Sequence, residues 1–276
     1  MRACAKTILF GEHAAVYGHP VIAVPVRSIW TEASATISEK TSMDSESERT
    51  LLLSELLKQR FGIDFKMQVD SRIPRKMGFG SSAAFCIACI RELVRLTGKD
   101  MDILELADEC ERIFHKNPSG VDTAVIHHEK PIYFRNRVSE PLVMRKRMTL
   151  VIAGCKGERP PTSEVVGKVW EKLQEEGMDI VGEIGHIAEN ARSAVEDADI
   201  ERIGLLMDKN QDLLRRLGVS SDENEAVVAA AKKAGAYGAK ISGAGMGGNV
   251  IISTADPDEM IRQILPLAQY AYKETI

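Results

Sequence analysis

Apolar positions recur along this chain with two periods, and the alternation between strand-like and helix-like runs predicts an α/β protein. The first thirty residues read as strands. Thr7-Ile8-Leu9-Phe10 is apolar and partly β-branched, Gly11 interrupts it, and Val21-Ile22-Ala23-Val24 resumes after Gly18-His19-Pro20. The Ser- and Glu-rich stretch 38–49 predicts a solvated loop leading into a helix over 51–59. Over 82–96, Ala83, Cys86, Ile87, Ile90, Leu93 and Val94 keep the i, i+3, i+4, i+7 spacing of an amphipathic helix, with Arg91, Glu92 and Arg95 on its wet face. A second amphipathic run covers 101–115, with Asp100 as its N-cap and Asn117-Pro118 beyond its end. Residues 150–153 read as a buried strand, and the charges at 145–147 mark a boundary before it. Helical patterns follow over 163–175, 181–195, 205–217 and 224–234, then a strand over 249–253 and a last helix over 257–272.

Composition narrows the function classes. The chain has 276 residues, with 36 Lys and Arg against 40 Asp and Glu, a net charge of −4. The two signs are interspersed, so the basic stripe of a nucleic-acid binder is missing. Aromatic residues make up only 5% of the chain, which argues against a base-stacking platform. Cys4, Cys86, Cys89, Cys110 and Cys155 are odd in number and lie among apolar neighbours, which predicts reduced thiols. The Cys86/Cys89 pair has no second pair or nearby His to complete a zinc site, so it reads as helix packing. The apolar run near the N-terminus is too short for a signal peptide, and no window approaches the ~20 apolar residues of a membrane span. A cytoplasmic protein with no membrane partner is expected.

Three local features carry candidate chemistry. Gly78-Phe79-Gly80-Ser81-Ser82-Ala83-Ala84 opens a predicted helix; its glycines let backbone N–H groups approach an anion, and its serines start the helix with the positive dipole end facing out. Arg75 and Lys76 add charge just upstream. Ser242-Gly243-Ala244-Gly245-Met246-Gly247-Gly248 matches GxGxxG, but a strand follows it where a dinucleotide fingerprint needs a helix, so it joins strand to strand. No Walker A pattern is present. Asn117-Pro118-Ser119-Gly120-Val121-Asp122 places a carboxylate just after a rigid turn, with Glu111 on the helix before it. Two glycine anion sites, a serine pair, a turn-borne Asp and a lysine near the first strand form the parts list of a phosphoryl transferase.

These residues resemble the GHMP kinases. Lys6-Thr7-Ile8-Leu9-Phe10-Gly11-Glu12-His13-Ala14-Ala15-Val16-Tyr17-Gly18, the segment 78–84 and the segment 240–248 look like its three motifs, in order. Within the family, the first motif together with 117–122 looks most like the mevalonate kinases. The resemblance implies a two-domain α/β (α+β) fold. Its N-terminal domain, 1–150, would be ribosomal protein S5 domain 2-like, and its C-terminal domain, 151–276, a ferredoxin-like α/β sandwich. It further implies ATP and Mg²⁺ as cofactors, mevalonate as acceptor, a place in isoprenoid biosynthesis, and a homodimer.

Carried over residue by residue, the resemblance makes Asp122 the catalytic carboxylate and Lys6 its cationic neighbour. Ser82 and Glu111 would be the Mg²⁺ ligands. Lys76, Gly78, Phe79, Gly80, Ser81, Ser82, Ala83, Gly243 and Gly245 would surround the nucleotide, and Glu12, His13, Thr162 and Gly245 the acceptor. The chain departs from the family pattern in four places. Cys4-Ala5 stands for Pro-Gly before the lysine, Lys76 for a glycine, Phe79 for a leucine, and Ser163 for a basic residue after the threonine. Another acceptor, such as phosphomevalonate or homoserine, and a non-catalytic ligand sensor on the same fold are the alternatives.

Overall fold

The structure is a computed structural model that describes residues 1–276 except 45, 46, 116, 158, 177 and 178, and except the side chains of 162, 163, 175 and 176. The chain divides into two compact units interleaved in sequence. Unit one is Met1–Lys6, Pro25–Pro74 and Phe79–Glu129; unit two is Thr7–Val24, Arg75–Gly78 and Lys130–Ile276. The strands β1 (Arg2–Phe10) and β2 (Val21–Ile37), which pair with each other, contribute to both. Both are longer than the apolar runs that predict them. In β2, Thr31, Ala33 and Ala35 alternate inward between exposed or half-buried residues, so the strand continues where the continuous apolar run stops.

In unit one, β2 pairs antiparallel with β4 (Phe65–Ser71), in register from Thr31↔Ser71 to Ile37↔Phe65, and the short β3 (Ser42–Met43) lies parallel to β4. The helices are α1 (Glu48–Phe61), α2 (Ser81–Thr97), α3 (Ile103–Phe114) and α4 (Val121–His128). Helix α1 begins at Glu48, inside the expected loop, because Ser47 and Thr50 form a capping box. Helix α3 is capped by Asp102, whose side chain accepts from Glu105 N, so the expected cap at Asp100 is two residues early. Cys86 and Cys89 are fully buried in α2, and all five cysteines are free. Helix α4 was not expected: Gly120, at φ 87°, breaks into it, and Asp122 therefore sits in the first turn of a helix and not in an open turn.

In unit two, β2 begins by pairing with β5 (Ile132–Arg135), which pairs with β6 (Val138–Pro141). A four-stranded antiparallel sheet runs in the order β10 (Ala268–Thr275), β7 (Thr149–Cys155), β9 (Asn249–Ser253), β8 (Gly238–Ser242). The helices are α5 (Thr162–Glu176), α6 (Asp179–Asp197), α7 (Ile200–Arg216), α8 (Asp222–Lys233) and α9 (Pro257–Ile264). Helix α7 meets β8 at a glycine pair; a Cβ on Gly238 would lie 1.9 Å from Gly204 O. The expected last helix is two elements, since α9 ends at Ile264 and β10 follows. The ring of Tyr270 fills the space above Gly154 of β7, where a Cβ would lie 2.3 Å from it, and it stacks with Tyr272 at a period of two. Among the described residues no helix is long and apolar enough to cross a membrane.

Candidate active site

In unit one, β1, the loop before α2, the end of α3 and the start of α4 bring five chemically capable residues together. Lys6 is 3% exposed, and a lysine at that depth needs a partner. Its Nζ lies 2.9 Å from Asp122 Oδ1, and its backbone N–H donates to Phe79 O at 3.0 Å. Cys4, Ala5 and Lys6 lie within the one continuous strand β1, where the family pattern has Pro-Gly before the lysine. The Asp122 side chain is 34% exposed, so the pair is open on the carboxylate side.

Gly80 supports this pair. Its φ is 68°, and a Cβ there would lie 3.0 Å from Lys6 Cγ and Cε and 3.2 Å from Asp122 Oδ2. Gly80→Ala is expected to cost about 1–2 kcal/mol through its left-handed backbone and to lower turnover about tenfold or more by displacing the pair. Unfolding and steady-state kinetics check this; a lowered melting temperature with unchanged kcat would contradict it.

Gly80 is the N-cap of α2 and makes no side-chain cap, so the amides of the first turn, at Ser81, Ser82 and Ala83, lack a side-chain partner from the cap. The side chains of Phe79 and Ala83 are buried in the core, so these two can offer a ligand only backbone.

Glu111 is 3% exposed at the end of α3, and among the described residues its Oε1 has no hydrogen-bond partner. Its carboxyl is raised to about 7, first by burial and next by the charge of Asp122; the Ser82 hydroxyl and Lys6 pull it part of the way back. An orphaned buried carboxylate oxygen beside a serine hydroxyl suits a hard cation that prefers oxygen ligands. His115 Nε2 lies 3.1 Å from Ser82 Oγ and 3.8 Å from Glu111 Oε2.

Unit two holds the other expected residues. The glycine loop 243–248 joins β8 to β9 and is held at several points. Ser242 Oγ accepts from Ile8 N at 3.1 Å and lies 2.8 Å from Thr7 Oγ1. Asn224 Oδ1 accepts from Gly247 N at 2.8 Å, and Met246 N donates to Val219 O. Gly245, at φ 81°, could not carry a Cβ, which would lie 2.2 Å from Val219 O. Arg159 bridges the two glycine segments: Nε donates to Gly245 O at 3.0 Å and Nη1 to Lys76 O at 3.2 Å. Lys76 keeps φ 61°, so the backbone follows a left-handed path at the position where the family pattern has glycine. Gly78, at φ 85°, lies against the Arg159 guanidinium.

The GEH turn is held from within unit two. Glu12, expected to face the acceptor, is 1% exposed and forms a buried ion pair with Lys240; Asn210 Nδ2 also donates to it, at 3.2 Å. Burial pushes Glu12 up and Lys240 down, and their contact opposes both. Its carboxylate is therefore occupied by the protein. His13, at φ 63°, approaches Ala244 O through Nε2 at 3.0 Å and is pushed down to about 4, chiefly by burial and also by Arg159. It is uncharged at neutral pH, and because a carbonyl oxygen can only accept, the tautomer that fits this contact carries its hydrogen on Nε2 and donates it. Thr162 opens α5, and its side chain lies outside the described residues.

Arg159, Lys240, Asn224 and His115 were not among the expected site residues. The first three act through backbone or buried contacts that no periodicity signals. His115 lies four residues after Glu111, a spacing that sets two residues on the same helix face and was the one available cue.

The fold and this constellation define a small-molecule kinase. The model of the GHMP kinases N terminal domain matches residues 50–130, and that of the GHMP kinases C terminal matches 191–273. The chain belongs to the GHMP kinases. It is 31% identical, over 88% of its length and 85% of the relative's, to a Pyrococcus furiosus protein named mevalonate kinase. The structure of the L. major mevalonate kinase in complex with R-mevalonate superposes with a TM-score of 0.89 at 26% identity, covering 100% of this chain and 94% of that one. A Streptococcus pneumoniae phosphomevalonate kinase in complex with phosphomevalonate and AMPPNP shares the fold at a TM-score of 0.83 and 16% identity, covering 99% of each chain.

Proposed function

We propose that this protein transfers the γ-phosphoryl group of ATP to the primary hydroxyl of mevalonate, giving 5-phosphomevalonate and ADP. The observation that carries the choice of acceptor is the 31% identity, over most of both chains, to a relative named for mevalonate. The Lys6–Asp122 pair beside Gly80 supports the chemistry.

Asp122 is the catalytic carboxylate. As the acceptor oxygen bonds to the γ-phosphorus and the bond to the β,γ-bridging oxygen breaks, the hydroxyl proton passes to Asp122. Lys6 holds Oδ1 and places positive charge beside the attacking oxygen. The amides at the start of α2 receive phosphate oxygens, and Lys76 and Gly78 keep the nucleotide role that the family resemblance gives them. Ser82 and Glu111 would hold Mg²⁺, which would neutralise phosphate charge. The loop carrying Gly243 and Gly245 takes part in ligand binding through its backbone. The family resemblance assigns Glu12, His13 and Thr162 to the acceptor, and the ion pair of Glu12 with Lys240 holds the turn. The assignment of 1–150 and 151–276 as the two domains belongs to the same proposal; it is supported by family models that fall on either side of residue 150. The cytoplasm is the proposed compartment, supported by the five free thiols.

The test is a panel of acceptors with purified protein, ATP and Mg²⁺, read by ADP release. Mevalonate is expected to turn over, and phosphomevalonate and homoserine are not.

A further inference from the structure

We infer that His115 is a positioning residue for the cation site: it takes the hydrogen bond of the Ser82 hydroxyl and so aims the oxygen lone pairs of Ser82 at the cation that Glu111 shares. This rests on reading Ser82 and Glu111 as the Mg²⁺ side chains.

A serine hydroxyl carries one hydrogen and can act as a cation ligand only through its lone pairs, so that hydrogen must point elsewhere. Two acceptors compete for it. One is Glu111, whose carboxylate is within reach of the hydroxyl. A bond in that direction would use up charge on the carboxylate and turn the hydrogen toward the space the cation needs. The other is His115 Nε2, 3.1 Å from Ser82 Oγ and 3.8 Å from Glu111 Oε2, close enough to bond to the serine and too far to bond to the carboxylate. With the hydrogen on His115, Ser82 Oγ and the unpartnered Glu111 Oε1 are both left as acceptors.

The backbone fixes the imidazole in this place. His115 is the C-cap of α3, extended at φ −133°, and its N–H donates to Glu111 O at 2.8 Å. The residue that carries the carboxylate thus anchors the residue that orients the hydroxyl. The His115 side chain is half exposed, so it is not part of the core, and its replacement does not remove packing on which the fold depends. Replacing groups that orient metal ligands from behind commonly costs about 10–100-fold in metal affinity.

The experiment is a double-mutant cycle read by Mn²⁺ binding to the full-length protein with ADP present, followed by electron paramagnetic resonance without turnover. His115→Leu, which lacks an acceptor, is expected to weaken Mn²⁺ binding about tenfold. His115→Gln, which can place an amide oxygen near the Nε2 position, is expected to restore most of that loss. In the Ser82→Ala background, His115→Leu is expected to have no further effect, because the hydroxyl it orients is gone. Equal loss from His115→Leu in both backgrounds, or no loss in the native background, overturns the inference. Unchanged Mn²⁺ binding by Ser82→Ala overturns the underlying cation reading instead, so the two failures are distinct.

Discussion

Asp122→Asn is expected to lower kcat by about three orders of magnitude while the affinity for ATP changes by less than about threefold. General base assistance is commonly worth 10²–10⁴-fold, and phosphoryl transfer depends on placing the acceptor and on managing charge more than on covalent chemistry. The asparagine is nearly isosteric, so it keeps the first turn of α4 and the contact above Gly80. It cannot accept the proton, and it removes the ion-pair contact of Lys6, which is 3% exposed. Single-turnover kinetics and nucleotide binding measured on the same preparation separate the two effects. Turnover within tenfold of the native protein would remove Asp122 from the chemistry.

Glu111→Gln is expected to abolish metal-dependent turnover and at the same time to stabilise the metal-free protein at alkaline pH. The folded-state value of about 7 lies above the ordinary 4.5, so between these values the folded chain holds a proton that the unfolded chain has lost. The contribution of this group to stability therefore falls as pH rises from about 4.5 to 7 and is constant above that. The full penalty is at most about 3 kcal/mol. Removing the titration should make the variant more stable than the native protein at pH 8 and nearly equal to it at pH 5, as read by urea unfolding without metal. Cation binding should follow the same group in the opposite direction, strengthening as pH rises through about 7, because a cation competes with that proton. A variant that is destabilised at pH 8 would contradict a carboxylate held for a cation at a cost to the fold.

These two residues also show how far the sequence carries. Asp122 and Glu111 stand out because a Pro-Ser-Gly turn and an amphipathic helix announce themselves locally, and the structure brings the two carboxylates near enough to interact. Lys6 is legible only through its motif, since one lysine in an apolar strand has no local signature, and its 2.9 Å contact spans more than a hundred residues of chain. The helical runs over 82–96 and 101–115 fall within about two residues of α2 and α3, because their periodicity is strong. The pattern over 257–272 reads as one helix because Ala and Leu between α9 and Tyr272 fit either period, but the antiparallel ladder with β7 makes the second half a strand. Glu12 is the instructive case. The GEH motif is conspicuous, yet a motif gives no sense of direction, and a lysine 228 positions away turns the carboxylate inward. Arg159 likewise has no pattern of its own; it matters because it ties the carbonyl of Lys76, held in a left-handed conformation, to the loop at Gly245.

The most direct measurement is phosphate transfer itself: purified protein with ATP, Mg²⁺ and mevalonate, the product followed by phosphorus NMR and ADP release counted in parallel. One phosphate ester on the primary hydroxyl should form for each ADP released. ATP and mevalonate binding without ester formation, or turnover confined to phosphomevalonate or homoserine, would contradict the account.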